Sequence, residues 1–438
     1  MSTKNSESPI NICWLRRDLR LADNAALYHA LKAEEPVLLL FIFDKEILDK
    51  LTDKKDARVD FIYQQLNEIN EQLIKLGSSI LIKHDTPENA WKEVLKEYQV
   101  SKVFTNHDYE PYAKQRDEEI AKLLNKENVS FYTFKDQVIF EKDEVQKADG
   151  KPYTVFTPYY KQWSQKLNAF YLKSYPTEKY FKNLYQTKAI AFPSLSSIGF
   201  QASDVKFPSS NFKSHLKDYE NDRDYPAKNA TTRIGIHLRF GTVSIRQVVT
   251  EALAQKADKW VSELAWREFY MMILWHFPHT VSKAFKPDYD RIQWKNNEKE
   301  FERWCKGETG YPLVDAGMRQ LNETGFMHNR VRMVVASFLC KHLLIDWRWG
   351  EAYFAEKLLD YEQASNIGGW QWACGSGNDA APYFRVFNPE LQLKKFDPKM
   401  EYVFKWAPEY KKAIAPMPMI EHDFARKRAL DTYKKALQ

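Results

Sequence analysis

The stretch VLLLFIF, residues 37–43, decides how the first third of the chain is read. Seven consecutive apolar residues fall far short of the about 18 needed to span a bilayer. The run reads instead as a strand buried on both faces, the kind found in parallel sheets covered by helices. Working outward, shorter apolar runs stand at residues 11–15, 79–83, 102–105 and 130–134. Amphipathic stretches fill the gaps between them, at 23–32, 57–76, 87–98 and 112–126. This strand–helix alternation predicts an α/β domain over residues 1–134, with a Rossmann-like parallel sheet of five strands. The stretch contains no GxGxxG and no GxxxxGK[ST], so the sheet need not hold a nucleotide in the usual way.

Beyond residue 134 the periodicity weakens, and Pro, Ser, Asn, Lys and Phe recur. Residues 135–205 are expected to form a long connector lying over the surface of both halves. After residue 230 the strand signals stop. Helical periodicity runs through 260–277, 313–323, 329–344 and 351–359, predicting an all-α domain over residues 206–438. No internal repeat or low-complexity tract interrupts it.

Composition narrows the class. Hydrophobic residues are 44% and charged residues 28% of the chain, a globular balance that excludes a disordered or collagen-like protein. The four cysteines, Cys13, Cys305, Cys340 and Cys374, are far apart and form no CxxC pair. Neither a zinc site, a disulfide framework nor a cysteine-ligated iron–sulfur cluster is expected. The N-terminus lacks a charged segment followed by an apolar core, so secretion is not expected. A reduced, cytoplasmic protein is expected, nucleoid-associated if bacterial.

Two numbers stand out. Aromatics reach 15%, including 13 Trp, which is more than packing requires. Net charge is +6, and residues 391–438 carry eleven Lys and Arg against six Asp and Glu. A basic surface rich in aromatics suits nucleic acid. A solvated basic tail explains the same charge.

Most of the tryptophans lie in the helical half. Trp370 and Trp372 follow Gly368 and Gly369, a pair that permits close approach by a planar ligand or a sharp helix entry. Two residues apart, these indoles leave a helix on different sides, as one ligand wall each or as two core aromatics. In the segment 231–235, TTRIG, hydroxyls and amides ahead of a helix suit either a phosphate or an N-cap. Glu263, Trp266 and Arg267 stand at i, i+3 and i+4 and share a helix face. A carboxylate, an indole and a guanidinium make a poor core stripe but a good wall for a charged or planar ligand. Asn329 and Met333 likewise share a face.

Three segments then carry a resemblance: SELAWREFY (262–270), TGYPLVDAGMRQLNETGFMHNRVRM (309–333) and NIGGWQWACGSGNDAAPYFRVFNPE (366–390). Together with WLRRDLRLADNAAL (14–27), they resemble the DNA photolyase/cryptochrome family over nearly the whole chain, most weakly through the connector. The resemblance implies an all-α domain that binds FAD and an α/β domain that in some members holds an antenna chromophore. Thr231, Thr232, Arg233, Ile234 and Gly235 match the pyrophosphate-binding segment. Tyr219 and Arg267 match residues near the flavin phosphates, and Glu362 one near the adenosine, where many members have Asp. Arg332 and Asp360 match a salt-bridged pair beside the isoalloxazine, and Asn366 the residue facing flavin N5. Photolyases typically have Asn at that position, whereas several cryptochrome groups have Asp or Cys. Ile367 stands where a second Asn is common.

Glu263, Trp266, Asn329, Met333 and Trp372 match the pocket for cyclobutane pyrimidine dimers. Animal-type (6-4) photolyases carry His at the positions of Asn329 and Met333. Trp370, Trp347 and Trp294 match the electron-transfer triad, while Trp304 and Trp349 read as packing. Arg223, Arg330 and Arg385 match DNA-face positions where phosphates are held; as bare residues, each is equally a surface ion pair. Glu110 matches a folate contact found in some members. The resemblance therefore implies a light-driven carbon–carbon lyase for cyclobutane dimers. Its cofactor is FAD, its partner is ultraviolet-damaged DNA, and it works as a monomer with no metal, membrane or protein partner. The antenna, methenyltetrahydrofolate or a deazaflavin, is left open. A (6-4) photolyase and a cryptochrome-type light sensor are the alternatives. Cryptochromes typically carry a long C-terminal extension, whereas about 50 residues follow the last matching motif here.

Overall fold

The computed structural model describes residues 8–412 and 416–438. They divide into two compact units. One comprises residues up to 141 with 167–210 and 234–251; the other comprises 142–166, 211–233 and 252–438.

The first unit is built on a five-stranded parallel sheet in the order β3-β2-β1-β4-β5. Its strands are β1 (Ile10–Leu15), β2 (Val37–Asp44), β3 (Ile80–Asp85), β4 (Val100–Asn106) and β5 (Ser130–Phe134). The two central strands, β1 and β2, are buried at every position; edge strand β5 has no buried residue. Each crossover helix has a sequence reason to start. Asn24 caps α1 (Ala25–Lys32) by accepting from the Leu27 amide, and Asp56 caps α2 (Ala57–Lys75) by accepting from Arg58. Thr86 caps α3 (Pro87–Glu97), and proline opens both α3 and α4 (Pro111–Lys126). Between β1 and β4 the strand order reverses, and in open α/β sheets the carboxyl ends of such strands form a crevice.

Residues 234–251 were expected in the helical domain, yet they pack with the sheet. The cause is a buried charge cluster. Asp136 accepts from Arg20 at 2.6 Å and Arg246 at 2.8 Å, and Arg246 also reaches Asp23 at 3.0 Å. Burial alone would raise the Asp136 carboxyl; the two guanidiniums hold it below the usual carboxylate range. Gly241 closes the same contact. Its φ is +64°, and a Cβ there would sit 2.1 Å from the Arg17 carbonyl oxygen.

The second unit is helical. Its core gathers Trp304, Trp347, Trp370, Phe338 and Phe354, all at most 3% exposed. The expected connector is divided between the units: most of it belongs to the α/β one, whereas its residues 142–166 belong to the helical one, where they include a helix, α5 (Phe156–Lys166). Phe156, Tyr159 and Trp163 are its buried face, packed on α6 (Asp258–His276). The remaining elements that matter below are α7 (Pro312–Thr324), α8 (Asn329–Ser337), α9 (Trp347–Lys357), α10 (Gln363–Cys374) and α11 (His422–Leu437). Among the described residues no helix is long and apolar enough to cross a membrane.

Candidate active site

A cavity of about 420 Å³ opens in the helical unit. Helix α6 supplies Glu263, Trp266, Arg267 and Tyr270, the face of that helix that is neither core nor fully exposed. Helix α8 supplies Asn329, Arg332 and Met333, and α10 supplies Asn366, Gly369, Trp370 and Trp372. Asp360 and Glu362 complete the wall just ahead of α10. Tyr270 continues the spacing of Glu263, Trp266 and Arg267 by one helical step, so its place was legible in the sequence although it was not singled out.

Ion pairs fix the charged lining. Arg332 donates to both Asp360 oxygens, at 3.1 and 3.0 Å, and its Nε donates to the Met327 carbonyl at 2.7 Å. Arg267 Nε lies 3.0 Å from Glu362, which is only 6% exposed. Glu263 is closed on by Arg223. Burial lowers the Arg223 guanidinium, but the Glu263 carboxylate more than compensates and keeps it firmly charged. Arg223 thus lines the cavity and is not a clear surface residue. His328 caps α8, accepting from the Arg330 amide at 3.2 Å. Burial pushes its imidazole down to about 4, so it is neutral at pH 7.

Other groups remain open. The Asn366 amide nitrogen donates to the Glu351 carboxylate at 2.9 Å and its main-chain carbonyl at 3.1 Å. That orients the side chain and leaves its carbonyl oxygen without a protein partner among the described residues. Gly369 also lines the cavity, and a Cβ added there would meet nothing within 4 Å. The backbone is therefore bare toward the cavity, as a flat ligand requires. Gly368 differs: a Cβ there would lie 2.2 Å from the Tyr270 ring, so its role is close helix packing. Both glycines lie inside α10, so neither marks a sharp helix entry.

Trp370 is 2% exposed and meets Phe354 at 5.0 Å and Trp304 at 6.1 Å between ring centroids. Trp304, read as packing, is thus the indole in ring contact with Trp370. Trp347 lies in the same core at 2% exposure, and Trp294 at its partly buried edge, 6.0 Å from the Tyr433 ring of α11. Trp372 faces Phe387 at 6.4 Å.

The residues of 231–235 do not line this cavity. The short helix Gly235–Phe240 starts without a side-chain cap, so neither threonine serves as an N-cap. Arg233, at φ +51°, lays its guanidinium over Phe326 at 4.8 Å. Tyr219 lies under Arg223, 5.4 Å away, and burial raises its phenol. Arg330 pairs with Asp224 at 2.6 Å and lies over Phe396 at 4.3 Å. Arg385 is exposed, and its carbonyl accepts from the buried Lys341 at 2.7 Å.

The α/β unit has its own pocket of about 180 Å³ at the carboxyl ends of the central strands. Trp14, Phe41 and Phe43 line it, and so does Glu110. The Glu110 carboxylate is already held by Arg239 at 2.5 Å and Arg17 at 3.3 Å. Asp108 pairs with Arg17 at 3.1 Å; burial would raise it, but the Arg17 and Arg239 charges hold it well below the usual range.

Two family models match the chain. The family model for DNA photolyase matches residues 11–179, and the model for the FAD binding domain of DNA photolyase matches 260–416. A deoxyribodipyrimidine photo-lyase of Alkalihalophilus pseudofirmus is 35% identical, over 98% of this chain and 98% of its own. The crystal structure of a class III photolyase from Agrobacterium tumefaciens superposes with a TM-score of 0.88 at 31% identity, covering 99% of this chain and 98% of that one. An archaeal photolyase from Sulfolobus tokodaii, solved with two FAD molecules, superposes at 0.83 with 32% identity, over 97% of this chain and 99% of that one. The chain belongs to the DNA photolyase family. It is an enzyme of the photo-lyase type, with an α/β domain and a helical FAD-binding domain.

Proposed function

We propose that the chain repairs cyclobutane pyrimidine dimers in DNA, using light. The observation that carries this reading is the cavity of the helical unit, where bare backbone at Gly369 and the free Asn366 carbonyl lie between aromatic and ion-paired walls. These features fit FAD. Asn366 would hold its ring, with Arg332 and Asp360 beside it, and Arg267 would stand near its phosphates. The hydroxyls of Thr231 and Thr232, partnerless among the described residues, suit the pyrophosphate. Held there in its reduced form, FAD would supply light-driven one-electron chemistry for opening the cyclobutane ring.

The remaining work falls to the chain's own side chains. Trp266 and Trp372 offer ring faces to the two extruded bases, worth about 1–3 kcal/mol per stacked base. Asn329 offers an amide N–H to a pyrimidine carbonyl. Glu263 bonds the base edge and steadies the charge that builds on the dimer; for this it must share its carboxylate between Arg223 and the substrate. Arg385 offers a phosphate contact that positions the strand without reading sequence. Trp370 and Trp347, both 2% exposed, and Trp294 at the partly buried edge of the same core would pass an electron inward to the flavin. The α/β pocket, with its aromatic floor, is the place for an antenna ring.

The test is light-driven recovery of ultraviolet base absorbance from a thymine-dimer oligonucleotide mixed with chemically reduced protein. Recovery in light and none in the dark is expected. No recovery in light, with flavin bound, overturns the reading.

A further inference from the structure

One face of the Trp266 indole is already covered. Phe156 lies on it with ring centroids 3.7 Å apart and planes 10° apart. Phe269 meets the indole edge-on at 5.6 Å, and Tyr270 lies tilted at 5.5 Å. Aromatic pairs left to themselves prefer offset or edge-to-face arrangements over a face-to-face sandwich. A stack this close is therefore imposed by what holds Phe156.

The restraints on Phe156 are visible. Phe156 is 8% exposed, and the Tyr160 ring lies parallel to its own within 10° at 5.6 Å. Its main-chain N–H donates to Asp379 at 3.0 Å, and the Thr154 carbonyl accepts from Asn378 at 3.1 Å. Residues 154–156 are thus pinned to the loop that follows α10. A Trp side chain has two rotatable bonds. The face contact and the edge contact together restrain both, and Trp266 lines the cavity.

We infer that Phe156 is a positioning residue for lesion recognition. It sets the plane of Trp266, so that the indole meets an extruded dimer at one angle. A cyclobutane dimer is a puckered pair of rings, and a wall of fixed tilt favours it over two flat, independently mobile bases. This rests on the dimer-repair reading and adds to it a residue from the segment expected to be a connector. It predicts an effect on damaged-strand affinity, with little effect on the reaction once the lesion is bound.

The experiment uses the full chain with its flavin and compares Phe156→Leu with Phe156→Tyr. Two readouts are taken: the fluorine resonance of residue 266 in 5-fluorotryptophan-labelled protein, assigned with Trp266→Phe, and steady-state repair of a thymine-dimer oligonucleotide. Phe156→Leu should move the resonance and raise KM about fivefold, with kcat and undamaged-DNA affinity within about twofold of wild type. Phe156→Tyr should restore both. An unmoved resonance overturns the inference, as does a KM within about twofold of wild type or a parallel loss of undamaged-DNA affinity. If the wild-type protein does not distinguish damaged from undamaged DNA, the repair reading fails, and the fluorine resonance alone then decides whether Phe156 positions the indole. Should the leucine variant lose flavin, Phe156→Met takes its place.

Discussion

The two units each contain a concave site lined by arginines, carboxylates and aromatic rings, and the two sites handle their charges differently. In the α/β pocket the acidic residues Asp108 and Glu110 are consumed by Arg17 and Arg239. In the helical cavity the ion pairs Arg332–Asp360 and Arg267–Glu362 frame positions that are left open, at Gly369 and at the Asn366 carbonyl. The residue types are similar; what separates the sites is which groups remain without a protein partner. Open polar groups and bare backbone point to a committed ligand more directly than lining composition does.

The contrast breaks most visibly at the glycines. Gly369→Leu should fill the helical cavity and abolish flavin content, read as the flavin-to-protein absorbance ratio, without lowering the Tm of flavin-free protein. Gly368→Ala should instead lower Tm, because its new Cβ strikes Tyr270. Equal effects from both would mean that Gly369 is not a ligand cradle.

Next in size is the charge cluster of the α/β unit. Asp136→Asn removes the carboxylate shared by two buried guanidiniums, leaving Arg20 with carbonyl partners only, and should destabilise the protein by roughly 3–5 kcal/mol in urea unfolding. The Asp136 and Asp108 carboxyls are held below their unfolded values. The stability they contribute is therefore fully present above an unfolded pKa of about 4 and is lost as pH falls through their lower folded values. The asparagine variant should show a shallower loss of stability below pH 4. An unchanged acid limb would contradict the pairing.

Glu263→Ala should lower repair about tenfold with flavin still bound, the size expected for removing one bond to a charged group. Unchanged repair would remove its role. Trp370→Phe should stop light from reducing oxidised flavin while sparing repair by chemically reduced protein. Normal photoreduction would shift attention to Trp304, its ring neighbour at 6.1 Å. Glu110→Gln should have the smallest effect, leaving flavin content and repair by reduced protein unchanged.

The fold of the α/β unit was legible because burial there matches sequence pattern. Residues 37–43 are uniformly apolar, and the strand they form is buried along its whole length. The site was partly legible for the same reason, since a one-helix face such as Glu263, Trp266 and Arg267 needs only periodicity. What stayed hidden depends on contacts distant in sequence. Nothing near Arg246 announces Asp136, 110 residues earlier, so the membership of 234–251 was misplaced. The role of Phe156 depends on Trp266, although its own helix could have been recognised from Phe156, Tyr159, Tyr160 and Trp163 at helical spacing. The pairing of Arg223 with Glu263, which adds Arg223 to the cavity wall, was invisible for the same reason.

The central claim is that the helical cavity is shaped for a cyclobutane dimer. The most direct test presents reduced protein with two oligonucleotides in one tube, one carrying a cyclobutane dimer and the other a (6-4) product, under blue light and in the dark. The account predicts loss of the cyclobutane lesion alone, and only in light. Loss of the (6-4) product alone, or of neither lesion while flavin is bound, would contradict it.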